Sequence, residues 1–295
     1  MVTLIAPRPT ITTVVLDALE RALALAESAF QMLVIEGQKD FAFGADLDDA
    51  FTAAAAGRPD VLDHALARYQ RTMLALRHAA VPTIAVTRGV AISGGCEVLM
   101  HCTRVVVAPT APIGLVEPSV GVLPGGGGVK EMARRAMLSA DGGDLYPHLR
   151  RAFEALAGAQ VVQARDAKAL NLLSADDVVV DGDLLAAAKE LGRSLQRGGY
   201  QPPPRNPTIR VGGGAAIERL LAKPRPEGRT GLTPHQLRID THIAEVLCGG
   251  RGPARDVSEQ TLLDLERSHF LVLVQTPETQ ARLAHLRATG TVLRN

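Results

Sequence analysis

Two carboxylates stand in settings that could do acid–base chemistry. Glu97 follows two glycines in Gly94-Gly95-Cys96-Glu97, and Glu117 sits among apolar residues in Ile113-Gly114-Leu115-Val116-Glu117-Pro118. Glycines at a helix start let a ligand approach backbone N–H groups that have no intrahelical partner, and such groups stabilise negative charge. A carboxylate in that first turn also feels the positive end of the helix dipole, which favours the ionised form and suits Glu97 to act as a base. A first-turn glutamate can equally do no more than support its own helix. Pro118 biases Glu117 toward extended backbone. Apolar surroundings resist ionisation, so its carboxyl could serve as an acid near neutral pH. The blander alternative for Glu117 is an edge-strand residue facing water.

Other segments offer weaker signals. Phe43-Gly44-Ala45-Asp46-Leu47 could present the backbone N–H of Ala45 to a ligand, or could be a simple turn with Asp46 capping a helix. The run 124–128, Pro-Gly-Gly-Gly-Gly, resembles a phosphate cradle, but no Lys-Ser/Thr pair follows it. A triphosphate-binding loop is therefore disfavoured, and a tight turn into a helix is the default. His101 and Cys102 follow Glu97 on the same helix and read as a packed histidine and a buried cysteine. His64, His78 and His235 fall in helical stretches without matching ligand spacing, so no metal site is expected.

These residues need a scaffold, and hydrophobic periodicity supplies one. Leu16, Leu19, Leu23 and Ala26 mark a helix over 14–27, and Leu62, Leu66, Tyr69, Met73 and Leu76 mark a second, ending before Pro82. Short apolar runs at 2–6, 32–35, 83–86, 104–108 and 178–180 suit buried strands. A short helix opens at 93–97, and further helices are expected over 129–137, 147–157 and 184–197. Strand and helix thus alternate through the first two-thirds, which argues α/β architecture. At Tyr200 the composition changes, with Gln201-Pro202-Pro203-Pro204 forming a stiff stretch. Beyond it, helices are expected over 215–222, 234–247, 258–274 and 277–288, the last opened by Thr276-Pro277. The reading is a core over 1–200, a linker at about 200–214 and a helical region over 201–295.

Composition narrows the classes of function. The 295 residues carry a formal net charge of +1, which gives no electrostatic bias toward nucleic acid or an anionic membrane. Aromatics are 3% and tryptophan is absent, so the core must be aliphatic. Three cysteines, Cys96, Cys102 and Cys248, match neither a zinc site nor a disulfide framework and suit a reducing compartment. No signal peptide and no apolar run of about 18 residues is present, so a soluble cytoplasmic protein is expected.

Taken in order, the segments at 43–47, 82–86, 94–97 and 114–118, with Gly121 and the 124–128 run, resemble the enoyl-CoA hydratase/isomerase (crotonase) family. Gln201-Pro202-Pro203-Pro204, Ser258-Glu259-Gln260 and the terminal Val292-Leu293-Arg294-Asn295 are similar to the hydratase portion of bacterial fused 3-hydroxyacyl-CoA dehydrogenase/enoyl-CoA hydratases. The resemblance implies a spiral of ββα units with a helical C-terminal region that supports a trimer or hexamer. It implies an oxyanion hole from the N–H groups of Ala45 and Gly94, with Glu97 and Glu117 as the catalytic pair. Substrate contacts would come from Ala42, Phe43, Asp46, Leu47, Gly95, Leu115, Pro118 and Val120. The implied reaction is hydration of a 2-enoyl-CoA in acyl-CoA catabolism, with coenzyme A entering only as part of the substrate and no metal or redox cofactor. A 3-hydroxyacyl-CoA dehydrogenase or thiolase would be the partner. Isomerisation, thioester hydrolysis, or a non-catalytic place in a larger assembly are the alternatives. Three departures accompany the match: Thr103 replaces the family's Asp, the chain begins at the family's second strand, and no dinucleotide-binding fingerprint is present.

Overall fold

The computed structural model describes residues 2–4, 9–37, 39–46, 48–222 and 231–295. In chain order the elements are β1 (Val2–Leu4), α1 (Thr13–Ala29), β2 (Leu33–Gly37), α2 (Asp48–Ala55), α3 (Pro59–Arg77), β3 (Thr83–Thr87), β4 (Ala91–Ile92), α4 (Gly94–His101), β5 (Arg104–Val107) and β6 (Pro112–Gly114). A 3-10 turn over Glu117–Val120 precedes α5 (Gly128–Ala140), α6 (Tyr146–Ala157), β7 (Val161–Gln163), α7 (Ala164–Ala167), β8 (Val178–Val179) and α8 (Leu184–Arg197). Then come β9 (Thr208–Val211), α9 (Gly213–Ala222), α10 (Pro234–Leu247), β10 (Arg255–Ser258), α11 (Glu259–Val274) and α12 (Pro277–Thr289). Among the described residues, no helix is long and apolar enough to cross a membrane.

The chain divides into two compact units, each made of separate stretches. The first comprises Met1–Asp46, Arg68–Gly114 and Val161–Arg205; the second comprises Leu47–Ala67, Leu115–Gln160 and Asn206–Asn295.

The first unit is the α/β part. Its main sheet is parallel, with strand order β1-β2-β3-β5-β8. Parallel neighbours need long crossovers and cover on both faces, which explains why every residue of β3 is buried. On one face, Val34, Ile84, Val86 and Val106 pack with Leu184 and Ala188 of α8 into an aliphatic cluster. α1 buries Leu16, Leu19, Leu23 and Ala26, the stripe read from its periodicity. A smaller sheet pairs β4 with β6 in parallel and β6 with β7 in antiparallel.

Local chemistry sets the helix starts. The Asp183 side chain accepts from the Ala186 amide at 3.0 Å and caps α8. Asp183→Ala removes that acceptor from an exposed cap, and a loss of about 1 kcal/mol is expected, read as a lower urea midpoint. Thr276 accepts from the Thr279 amide and caps α12, as the Thr-Pro pair predicts.

The second unit is mainly helical. α10 packs on α5, α6, α9 and α11. A feature absent from the sequence expectation is the antiparallel pair β9 and β10, with Thr208 opposite Ser258 and Val211 opposite Arg255. Each strand is only four residues long, so the exposed–buried alternation along β9 is too short to stand out from its surroundings. α2 begins at Asp48, two residues after the helix start offered as the alternative for the 43–47 segment.

A buried ionic cluster runs through this unit. Lys130 is fully buried, with Nζ 2.9 Å from Glu259 Oε1 and 3.4 Å from Glu131 Oε2. Arg134 and Arg135 also reach Glu131. Glu266 of α11 accepts from the Gly127 and Lys130 amides, so a side chain from another helix caps α5. That carboxylate meets both the unpartnered first-turn N–H groups and the positive dipole end.

Candidate active site

In the first unit, the loop before α2 and the start of α4 meet through their backbones. Phe43 and Asp46 amides donate to Pro9 and Ile11, and the Ile11 amide donates to Gly44. The loop is thereby laid beside residues 9–11. On its other side Ala42 bridges to Ala91, and its carbonyl accepts from Ile92 at 3.0 Å. This parallel lacing carries the loop alongside β4, and β4 runs straight into Ser93 and α4.

The approach at α4 is close enough to demand glycine. A Cβ on Gly94 would lie 2.9 Å from the Ala45 nitrogen and 2.6 Å from Tyr69 Oη. A Cβ on Gly95 would lie 2.5 Å from the Ala42 carbonyl oxygen. Ser93 adopts φ 50°, an unusual conformation for a non-glycine residue. Such a conformation costs about 1–3 kcal/mol and must be held by its surroundings. Here the Ser93 amide donates to Gly114 at 2.8 Å, and its carbonyl accepts from the Glu97 amide. Tyr69 Oη donates to the Gly94 carbonyl at 2.9 Å. Among the described residues, neither the Ala45 nor the Gly94 amide donates to a protein acceptor.

Ala42, Ala45, Gly94 and Gly95 are thus brought together. Glu97 lies in the first turn of α4 and is only 3% exposed. All eight residues of α4 are buried, so this helix is not a surface helix carrying a solvated glutamate. Phe43 and Asp46 are exposed, and Leu47 lies outside the described residues. His101 is buried with Nδ1 2.7 Å from the Glu97 carbonyl, and burial pushes the Cys102 thiol up to about 12. Both are packing residues, as expected.

Glu117 belongs to the second unit. Pro118 predicts an extended Glu117; instead Glu117 opens a 3-10 turn with Pro118 in its first positions, where proline's fixed φ and missing N–H are harmless. The side chain is buried, so the water-facing alternative does not hold. Leu115 and Pro118 are buried and Val120 is half-buried.

The turn is fastened by Gly121, part of the motif, and by Thr279 and Arg282, which periodicity and motif did not mark. Gly121, at φ 101°, closes it. Thr279 Oγ1 donates to the Gly121 carbonyl at 2.7 Å, and His235 Nε2 lies 2.9 Å from the same hydroxyl. Arg282, one turn further along α12, donates to the Pro118 carbonyl at 3.1 Å. A cavity of about 570 Å³ opens on this side, lined by Pro118, Ser119, Gln236 and Arg282 among others; Glu117 is not in its wall. Thr279 and Arg282 are three apart on one helix face, the only sequence signal that could have marked them.

Comparison with known proteins agrees with the motifs. The model of the enoyl-CoA hydratase/isomerase family matches residues 2–195. A Bacillus subtilis (strain 168) protein named "Probable 3-hydroxyacyl-CoA dehydrogenase" is 32% identical over 295 residues, covering 95% of this chain and 36% of that protein. The chain therefore spans about a third of that relative's length. An enoyl-CoA hydratase structure from Rhodobacter sphaeroides 2.4.1 superposes with a TM-score of 0.65 at 17% identity, covering 97% of this chain and 86% of that one. One from Bacillus halodurans gives 0.62 at 16% identity, covering 96% and 94%. These likenesses establish the fold.

Proposed function

Because the chain belongs to the enoyl-CoA hydratase/isomerase family, we propose that it adds water across the double bond of a 2-enoyl-CoA to give a 3-hydroxyacyl-CoA. The observation that carries this reading is the backbone contact of Ala45 with Gly94, both amides without a protein acceptor among the described residues, at the start of the helix that holds buried Glu97.

In this reading the thioester carbonyl oxygen accepts from both amides. Negative charge grows on that oxygen as water attacks C3, and fixed donors in a dry site stabilise it without reorganising. Glu97, at the positive end of α4, holds the water and takes its proton as the C3–O bond forms. Electron density passes through C2 to the carbonyl oxygen. Glu117 delivers a proton to C2 as the enolate collapses back to the thioester. Glu97 then gives up its gained proton and Glu117 regains its lost one by exchange with solvent, so each turnover adds one water in net and moves no electrons. Coenzyme A enters only as the substrate's carrier.

Two carboxylates favour hydration over isomerisation, because hydration moves one proton off water and another onto carbon. A 3-hydroxyacyl-CoA is the substrate class stated in the name of the Bacillus subtilis relative. A dehydrogenase taking this product is the partner we propose, with a homotrimer or hexamer as the assembly and the cytoplasm as the setting.

The test is loss of enoyl thioester absorbance from crotonyl-CoA by the purified chain, beside Glu97→Gln and Glu117→Gln. Each variant keeps its size and loses its proton-transfer capacity, so a fall of about 10²–10⁴-fold in turnover is expected for each. Inertness of the parent chain toward both crotonyl-CoA and longer 2-enoyl-CoA esters would remove the hydratase reading.

A further inference from the structure

Away from the glutamates, the second unit gathers two imidazoles and a carboxylate at one point. His242 and Glu245 lie three apart on α10 and share a face. His269 comes from α11, which packs on α10. One ligand atom from each residue lies within 4.8 Å of the other two. Nδ1 of His242 is 2.7 Å from Nδ1 of His269, with the rings nearly perpendicular at 77°. His269 Nε2 lies 3.8 Å from Glu245 Oε2. Arg251 pairs with the other oxygen of Glu245, which fixes the carboxylate's orientation.

We propose that His242, Glu245 and His269 form a binding site for a divalent transition metal of the zinc class, tying α10 to α11. Two histidines and one glutamate are a ligand set that borderline cations favour, and three protein ligands leave a fourth position for water. The ring nitrogens are closer than two ligands of one ion. At zinc–nitrogen lengths of about 2.0–2.1 Å, tetrahedral ligands stand roughly 3.3 Å apart. The imidazoles must therefore part by roughly 0.6 Å, and because the short contacts use Nδ1 of His269 toward His242 and Nε2 toward Glu245, the ring must also turn to offer one nitrogen to the ion.

Two further features suit coordination. The His269 and Glu245 side chains are 14% and 16% exposed, so the site is shielded yet within reach of solvent. Arg251 supplies the outer hydrogen bond that metal-ligating carboxylates commonly have. The site lies on residues that the proposed hydration does not use.

The test is titration of the chelator-treated full chain with Zn²⁺ by calorimetry and with Co²⁺ by visible absorption. The expected result is one ion per chain, an intense four-coordinate Co²⁺ spectrum and a rise of several degrees in Tm. His242→Ala and His269→Ala should each weaken binding about 100-fold or more, and Arg251→Gln by about 10–100-fold. His64→Ala, at an exposed hydrogen-bonded histidine of α3, should leave it unchanged. No stoichiometric binding by the parent chain would overturn the proposal, and the Co²⁺ spectrum decides this without any variant. Equal affinity in the His242 and His269 variants would overturn it too, leaving a hydrogen-bonded histidine pair.

Discussion

Gly94→Ala is expected to lower crotonyl-CoA turnover by about 10²–10³-fold, the usual effect of losing one oxyanion donor. The added methyl would sit 2.9 Å from the Ala45 nitrogen and 2.6 Å from Tyr69 Oη. Tyr69 can yield, because its hydroxyl is the end of a side chain. The Ala45 backbone is laced to Ile11 on both sides and can move only by disturbing those bonds. A shift of a few tenths of an ångström misaims one donor or both, and overpacking adds roughly 1–3 kcal/mol of destabilisation. Circular dichroism and a thermal scan separate the two effects. A folded variant with turnover within about threefold of the parent would show that this contact does not hold the thioester oxygen.

Lys130→Met is expected to destabilise the chain by about 3–5 kcal/mol, the largest stability effect anticipated here. The ammonium is fully buried between Glu131 and Glu259, both also buried. Removing it leaves carboxylates in a low-dielectric interior with one fewer cation, although Arg134 and Arg135 still serve Glu131. A fall in urea midpoint without a change in slope is the expected reading. A change below about 1 kcal/mol would show that the carboxylates take up protons or water at little cost. Adding Glu259→Leu to Lys130→Met should recover part of the loss, because an apolar pair replaces a broken ion pair.

Much of the scaffold was legible because long amphipathic helices and buried parallel strands leave strong local patterns. The helix 184–197 matches α8 end to end, and the α1 stripe is buried residue for residue. The loop and α4 start were legible for a different reason: close backbone approach demands Gly94 and Gly95, and glycine pairs are conspicuous. Glu117 shows where local reasoning stops. Pro118 pointed to extended backbone, yet proline fits the first turn of a 3-10 segment equally well, and residues far along the chain decide between them. Thr279 and Arg282 hold that turn from 158 and 164 residues away. The His242, Glu245 and His269 cluster escaped for the same reason. Its histidines stand on two helices, 27 residues apart, outside any short ligand spacing.

The contact between Ala45 and Gly94 places very different demands on its two positions. Every amino acid except proline carries the same main-chain N–H, so in the proposed role Ala45 could be exchanged for many residues without loss of its donor. Gly94 has no such latitude, because what matters there is the absence of a side chain. A conventional alanine scan would pass over position 45 altogether, since alanine already stands there. The partner donor would be revealed only by Ala45→Pro or by replacing the amide with an ester.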